Sequence, residues 1–160
     1  MFTDTWQWSE HAYRELCENC PQPALVERLT GFVKTLGMND LTAYLVMIAP
    51  RLLELHRVLK PTGSLYLHCD PTASHYLKVM MDVLFGARNF RNEIVWVRDP
   101  AGKGGNGASH QWPRNIDILL YYTKSDNFCF QQQYKPLTEE FIIPHQESGM
   151  SSITSMKPNL

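Results

Sequence analysis

The sequence predicts an α/β fold. Three observations carry that expectation: an apolar stripe at helical spacing ahead of Lys60, a short apolar strand with a polar tip directly after it, and a second helical stripe beyond the strand. The 160 residues fit one domain, and 44% hydrophobic content is enough to fill a core. Two further strands are expected downstream.

Before these elements, two short helices are expected around Glu10 to Cys17 and Ala24 to Leu36, joined at Pro21 and Pro23. Glu27, Arg28 and Lys34 read as a solvated face, whereas Phe2, Trp6 and Trp8 are expected to pack or to meet a partner.

The next helix is argued from spacing, because Leu41, Leu45, Ile48, Leu52, Leu55 and Leu59 recur at alternating steps of four and three. Asn39 or Asp40 is its expected N-cap. Pro50 lacks the amide that would bond back to Val46, which predicts a kink, and Pro61 with Gly63 ends the helix.

From Ser64 to Cys69, Leu65, Leu67 and Cys69 alternate with Tyr66 and His68, a pattern expected of a strand covered on both faces. Asp70 can cap the next helix and Pro71 suits its first position. Ala73, Tyr76, Leu77, Met80 and Leu84 then form a stripe that Gly86 closes. Strands are expected at Asn92 to Val97 and Ile116 to Thr123, with a short β segment at Asn127 to Gln131. Open α/β sheets place their chemistry at strand tips, which directs attention to His68, Cys69 and Asp70.

The run Ala-Tyr-Leu-Val-Met-Ile-Ala-Pro-Arg-Leu-Leu-Glu-Leu-His-Arg-Val-Leu-Lys-Pro-Thr-Gly-Ser-Leu-Tyr-Leu-His-Cys-Asp-Pro-Thr-Ala-Ser-His-Tyr-Leu-Lys, residues 43 to 78, resembles the DNA methylase N-4/N-6 family. The likeness continues through Asn89 to Trp96 and Ile116 to Lys124 and reaches back weakly to Phe2 to Trp6. It spans residues 2 to 142, so 1–142 is expected to be a partial catalytic domain and 143–160 a disordered tail. The resemblance implies a partial Rossmann-like methyltransferase sheet, three layers α/β/α, with a C-terminal antiparallel hairpin. It also implies transfer of a methyl group from S-adenosylmethionine to the amino group of adenine (N-6) or cytosine (N-4) in double-stranded DNA. A restriction subunit and missing complementary segments are the other partners it implies, in the cytoplasm.

Two motifs that the family needs are absent from this sequence. The family closes a strand with an Asp-Pro-Pro-aromatic tetrad and holds S-adenosylmethionine on a Phe-x-Gly-x-Gly-type turn, and neither pattern occurs. Asp70-Pro71-Thr72 and Asp99-Pro100-Ala101 each lack the second proline and the aromatic residue. No residue is therefore assigned to catalysis or to the cofactor, and the chain is expected to be an inactive fragment. The alternative is a non-catalytic remnant acting as a DNA- or protein-binding module.

Carried onto this sequence, the family's target pocket falls at His68, Cys69 and Asp70, with His110 and Trp112 just before its other segment. An enzyme acting on a base amino group must extrude the base and hold it by stacking and hydrogen bonds, which these residue types could do. The competing reading has Asp70 as a helix cap, His68 as a satisfied sheet residue and Trp112 as half-buried at a strand entry. Arg98, Lys103 and Arg114 belong to a local basic excess suited to DNA phosphates, although a net charge of -1 gives the whole chain no such bias.

Gly102, Gly104 and Gly107 match Gly-x-Gly-x-x-Gly, yet another strand rather than a helix comes next, so a loop is expected there instead of a phosphate cradle. Cys17 and Cys20 form Cys-x-x-Cys, but Cys69 and Cys129 are single and distant, so free thiols are expected and no metal. The sequence contains no run of 18 apolar residues and no visible signal peptide, which argues against a membrane partner. A sheet without its central strands would expose apolar faces and open edges, which predicts self-association.

Overall fold

Each of the first three helices begins where a side chain or a proline removes the need for a backbone partner. The computed structural model describes residues 6–98 and 115–134. Helix α1 (Glu10–Asn19) opens on Ser9, whose hydroxyl accepts the Ala12 amide at 3.2 Å. Helix α2 (Pro23–Leu36) starts on a proline, which has no amide to leave unpaired, and stops at Gly37 with φ +81°.

Helix α3 (Asp40–Val58) carries a reciprocal cap. Asn39 Oδ1 accepts the Thr42 amide at 3.0 Å, while Thr42 Oγ1 accepts the Asn39 amide at 2.9 Å. The helix runs on through the exposed Pro50.

Its buried face comprises Thr42, Ala43, Leu45, Val46, Ala49 and Leu52. Leu55, expected on that stripe, is 43% exposed. At the last turn the inward position belongs to His56, whose ring meets Phe85 edge-on at 4.7 Å, and this turns Leu55 outward.

Strand β1 (Ser64–Cys69) leads to helix α4 (Ser74–Phe85), which ends at Gly86 with φ +85°. Asp70 does act as a cap, but of a turn: its Oδ1 accepts the amides of Thr72 and Ala73, both at 3.1 Å. The helix therefore starts after Ala73 and not at Pro71. Strands β2 (Phe90–Val97) and β3 (Ile116–Thr123) complete the sheet. No strand forms at Asn127 to Gln131; the Cys129 amide makes a lone bond to the Thr62 carbonyl at 3.2 Å, which is no ladder. Phe130–Leu160 is a separate unit, described only over 130–134, which holds neither helix nor strand.

The α/β class holds, with strand order β1-β3-β2 and both outer strands antiparallel to β3. The outer strands β1 and β2 accordingly run in the same direction. An extra residue at Arg91 bulges β2. Arg91 uses that position to donate to Thr123 Oγ1 at 2.9 Å and to Asp126 Oδ1 at 3.0 Å.

Helices α2, α3 and α4 form one layer on the face of the sheet that carries Cys69, Ile118, Leu120 and Tyr122. Leu25, Leu29, Leu45, Leu52, Leu77, Met80 and Met81 are all at or below 1% exposure there. Each such side chain contributes about 1.5–3 kcal/mol through burial. On the opposite face no described element covers Tyr66 and His68, so β1 is not covered on both sides as its composition suggested.

Candidate functional site

The C-terminal tip of β1 sits between two differently solvated faces, because alternation sends Cys69 to the helix layer and His68 to the open side. A cavity of about 620 Å³ opens at this tip. His68, Cys69 and Asp70 all line it, joined by Trp6, Asp40, Tyr44 and Asp117. Its lining sets it apart, not its volume, since cavities of about 590 and 710 Å³ lie elsewhere: aromatic and ionisable groups converge here as a small-molecule or nucleobase site needs. A second cavity of about 590 Å³, between α1 and α3, shares Trp6 with the first, is lined largely by apolar groups such as Trp8, Leu16, Val46 and Leu53, and contains none of the strand-tip residues.

Asp117 organises the tip. It lies near the start of β3, and its carboxylate takes His68 Nε2 at 3.1 Å on one oxygen and Arg98 Nε at 3.4 Å on the other. Its side chain is 13% exposed, against 63% for His68 and 51% for Arg98, so the carboxylate is sheltered and its two partners reach outward. One residue thereby ties β1, β3 and the end of β2 together.

The chemistry of the other groups is set by burial. Desolvation, helped by the negative charges of Asp70, Glu93 and Asp117, pushes the Cys69 thiol up to about 11. The thiol is therefore protonated at neutral pH and is no nucleophile. Burial also raises the Tyr44 phenol, with Cys69 and Asp70 adding to the effect, so Tyr44 presents a neutral ring to the cavity.

Of the remaining residues singled out from sequence, Arg98 is the ion-pair partner of Asp117, with its amide bonded to the Asn115 carbonyl at 2.8 Å. Lys103, His110, Trp112 and Arg114 lie outside the described residues, as do the 102–107 glycines, Asp99-Pro100-Ala101 and the tail. Cys17 and Cys20 are free thiols.

The described residues do not fit S-adenosylmethionine. Their two glycines with positive φ, Gly37 and Gly86, both terminate helices, and neither forms a strand-to-helix turn that could cradle a cofactor.

Sequence reasoning missed Asp117, Asp40 and Tyr44 as cavity residues and left Trp6 unassigned. Two signals pointed to them. Asp117 is the lone charge in an otherwise apolar and aromatic strand, and Asp40 and Tyr44 stand four apart, on one helical face.

A match to the DNA methylase family covers residues 31–159. The chain is 35% identical to the type II methyltransferase M.KpnI of Klebsiella pneumoniae over 131 residues, covering 73% of this chain and 30% of that protein. It is 28% identical to the StyLTI Mod subunit, a type III restriction-modification protein of Salmonella typhimurium, over 106 residues, 66% of this chain and 16% of the relative. With the EcoP15I Mod subunit of Escherichia coli, also of type III, it shares 23% identity over 130 residues, 79% of this chain and 17% of the relative. The chain thus spans less than a third of the length of the curated relatives it matches.

Proposed function

This chain belongs to the DNA methylase family, and from that premise we propose that it is the target-base side of a site-specific DNA methyltransferase. The reaction would place a methyl group from S-adenosylmethionine on the amino nitrogen of adenine (N-6) or cytosine (N-4). The observation that carries the reading is the cavity at the tip of β1, where His68, Cys69 and Asp70 meet Asp117 and two aromatic rings. These residues bind and orient the base and screen it from water. The acidic tetrad and the cofactor turn would come from complementary segments.

The architecture leaves room for them. Strands β1 and β2 run in the same direction on either side of β3, so further parallel strands could extend the sheet at an outer edge. A second helix layer over Tyr66, Ile94 and Trp96 would complete a three-layer, Rossmann-like domain; these side chains are now 50%, 37% and 60% exposed. The Mod relatives suggest a restriction subunit as a further partner; Arg98, Lys103 and Arg114 remain proposed for the DNA backbone, and His110 and Trp112 for the target-base pocket. The missing tetrad favours a second reading, a non-catalytic binding module, for the chain on its own.

The test is complementation. The chain is assayed for transfer of labelled methyl from S-adenosylmethionine to DNA, alone and with the parts of M.KpnI that lie outside the match. No transfer alone and transfer in the mixture or fused chimera is expected. Inactivity of a well-folded chimera would leave the binding-module reading, and activity of the chain alone would mean that it is a compact enzyme.

A further inference from the structure

We infer that Trp6 and Tyr44 form the aromatic wall on which the extruded base stacks, and that Asp40 accepts a hydrogen bond from its amino edge. This rests on the methyltransferase reading and assigns roles that the family match does not. Both rings line the cavity at the β1 tip, with centroids 5.6 Å apart and planes at 53°. Trp6 keeps 39% of its surface exposed and stands between this cavity and the one that Trp8 lines. Aromatic side chains hold nucleobases by stacking whatever the base, which leaves selection to the polar edge.

Three carboxylates line the same cavity, those of Asp40, Asp70 and Asp117. Such a lining repels phosphate and favours a base that offers an exocyclic amino group. Asp70 already accepts two amides, those of Thr72 and Ala73, on its Oδ1 and keeps only Oδ2 open, and Asp117 holds His68 and Arg98. Asp40 makes no side-chain hydrogen bond or ion pair among the described residues, and it stands one helical turn before Tyr44. An amino group on adenine or cytosine would donate to it, whereas thymine carries a carbonyl at the same ring position and keeps its single N–H donor on the neighbouring ring nitrogen.

The experiment titrates deoxycytidine, deoxyadenosine and thymidine, each to millimolar concentration, into the full nitrogen-15-labelled chain. It tracks the indole N–H signals of its four tryptophans. The Trp6 signal is identified by its loss in Trp6→Phe.

Expected is a saturable shift of the Trp6 signal with the two amino-bearing nucleosides, with the Trp8 signal stationary and thymidine weaker. Tyr44→Ala should weaken binding by about fivefold or more. Asp40→Ala should remove the preference over thymidine while the folded spectrum persists. A stationary Trp6 signal, equal binding of thymidine, or an unchanged preference in Asp40→Ala would overturn the inference. Complementation reports separately: active chimera with a stationary Trp6 signal sinks only the wall, whereas a shifting signal with an inactive chimera sinks the methyltransferase reading.

Discussion

The two faces of the sheet differ more than their sequences do. On the helix side the central-strand residues Ile118, Leu120 and Tyr122 are at most 5% exposed, although Val95 and Val97 at the β2 edge of that face are 52% and 49% exposed; on the other side Tyr66, Ile94 and Trp96 are between 37% and 60% exposed. The open face is sheltered along β3, where Tyr121 and Thr123 are 4% and 0% exposed and Tyr66 stacks on Tyr121 with centroids 4.5 Å apart and planes 3° from parallel. Both faces use large apolar residues, so hydrophobicity is not what separates them. Place in the sheet and the helix layer act together: β3 is largely buried on both faces, β2 from Asn92 on is open on both, and in β1 the layer covers Cys69 at 7% exposure while Tyr66 stays at 50%. One face contributes stability, and the other stores apolar surface for association.

The largest effect should come from cutting the covered face. Leu120→Ala removes a side chain 1% exposed and should cost about 2–5 kcal/mol in denaturant unfolding, whereas Trp96→Ala should cost less than about 0.5. Trp96→Lys together with Tyr66→Lys should also reduce self-association in sedimentation, and comparable stability losses at Leu120 and Trp96 would erase the contrast between the faces.

A smaller effect is expected at the polar knot beneath the covered face. Tyr122 donates to Asp82 Oδ1 at 2.7 Å, and Lys78 reaches the same carboxylate at 2.8 Å while lying 4.2 Å over the Phe90 ring. Burial first, then Asp82, raises the Tyr122 hydroxyl, which remains a donor at any physiological pH. Tyr122→Phe should cost about 1.5 kcal/mol, the low end for a bond to a charged acceptor, since Asp82 keeps its lysine. No measurable loss would mean that water replaces the bond.

Removing the Asn39 cap should cost about 1 kcal/mol in Asn39→Ala, because the Thr42 amide loses its acceptor and the reciprocal bond loses its anchor. Asn39→Ser, which can still accept, should recover most of it. If it does not, the capping assignment is wrong.

The mildest effect is pH dependence at His56. Burial, and secondarily the charge of Lys124, holds its imidazole below the ordinary value of 6.5, so the unfolded chain binds a proton more readily than the folded one. Stability is then complete above that value and declines as pH falls through it toward the folded pKa. His56→Gln should flatten the slope between pH 7 and pH 5, to about the extent that His56 alone causes it.

Local rules made most helix ends legible: Asn39 and Gly86 act where their chemistry puts them, although α4 starts after Ala73 and not at Pro71, and β1 and β3 keep their expected bounds. The short segment after Asn127 was not legible, because a strand exists only if a ladder receives it, and here a single bond does. Leu55 misled for a related reason: spacing identifies a stripe, but the neighbouring Phe85 decides which residue of the last turn faces inward. That His68, Cys69 and Asp70 stand together at the tip of β1 could be read from the sequence. Trp6, Asp40, Tyr44 and Asp117 come from separate segments and converge only after folding.

Helical periodicity, caps and the polar strand tip are properties of residues a few positions apart, and so the chain carried them in its order of amino acids. Family membership was readable in the same way, from one continuous run and its flanking segments. Which strand lies between which, which sheet face is covered, and which carboxylate meets His68 depend on residues as distant as His68 and Asp117, 49 positions apart. Contacts at that separation form only when packing overcomes the entropy of closing the intervening chain, and no local pattern records which closure wins.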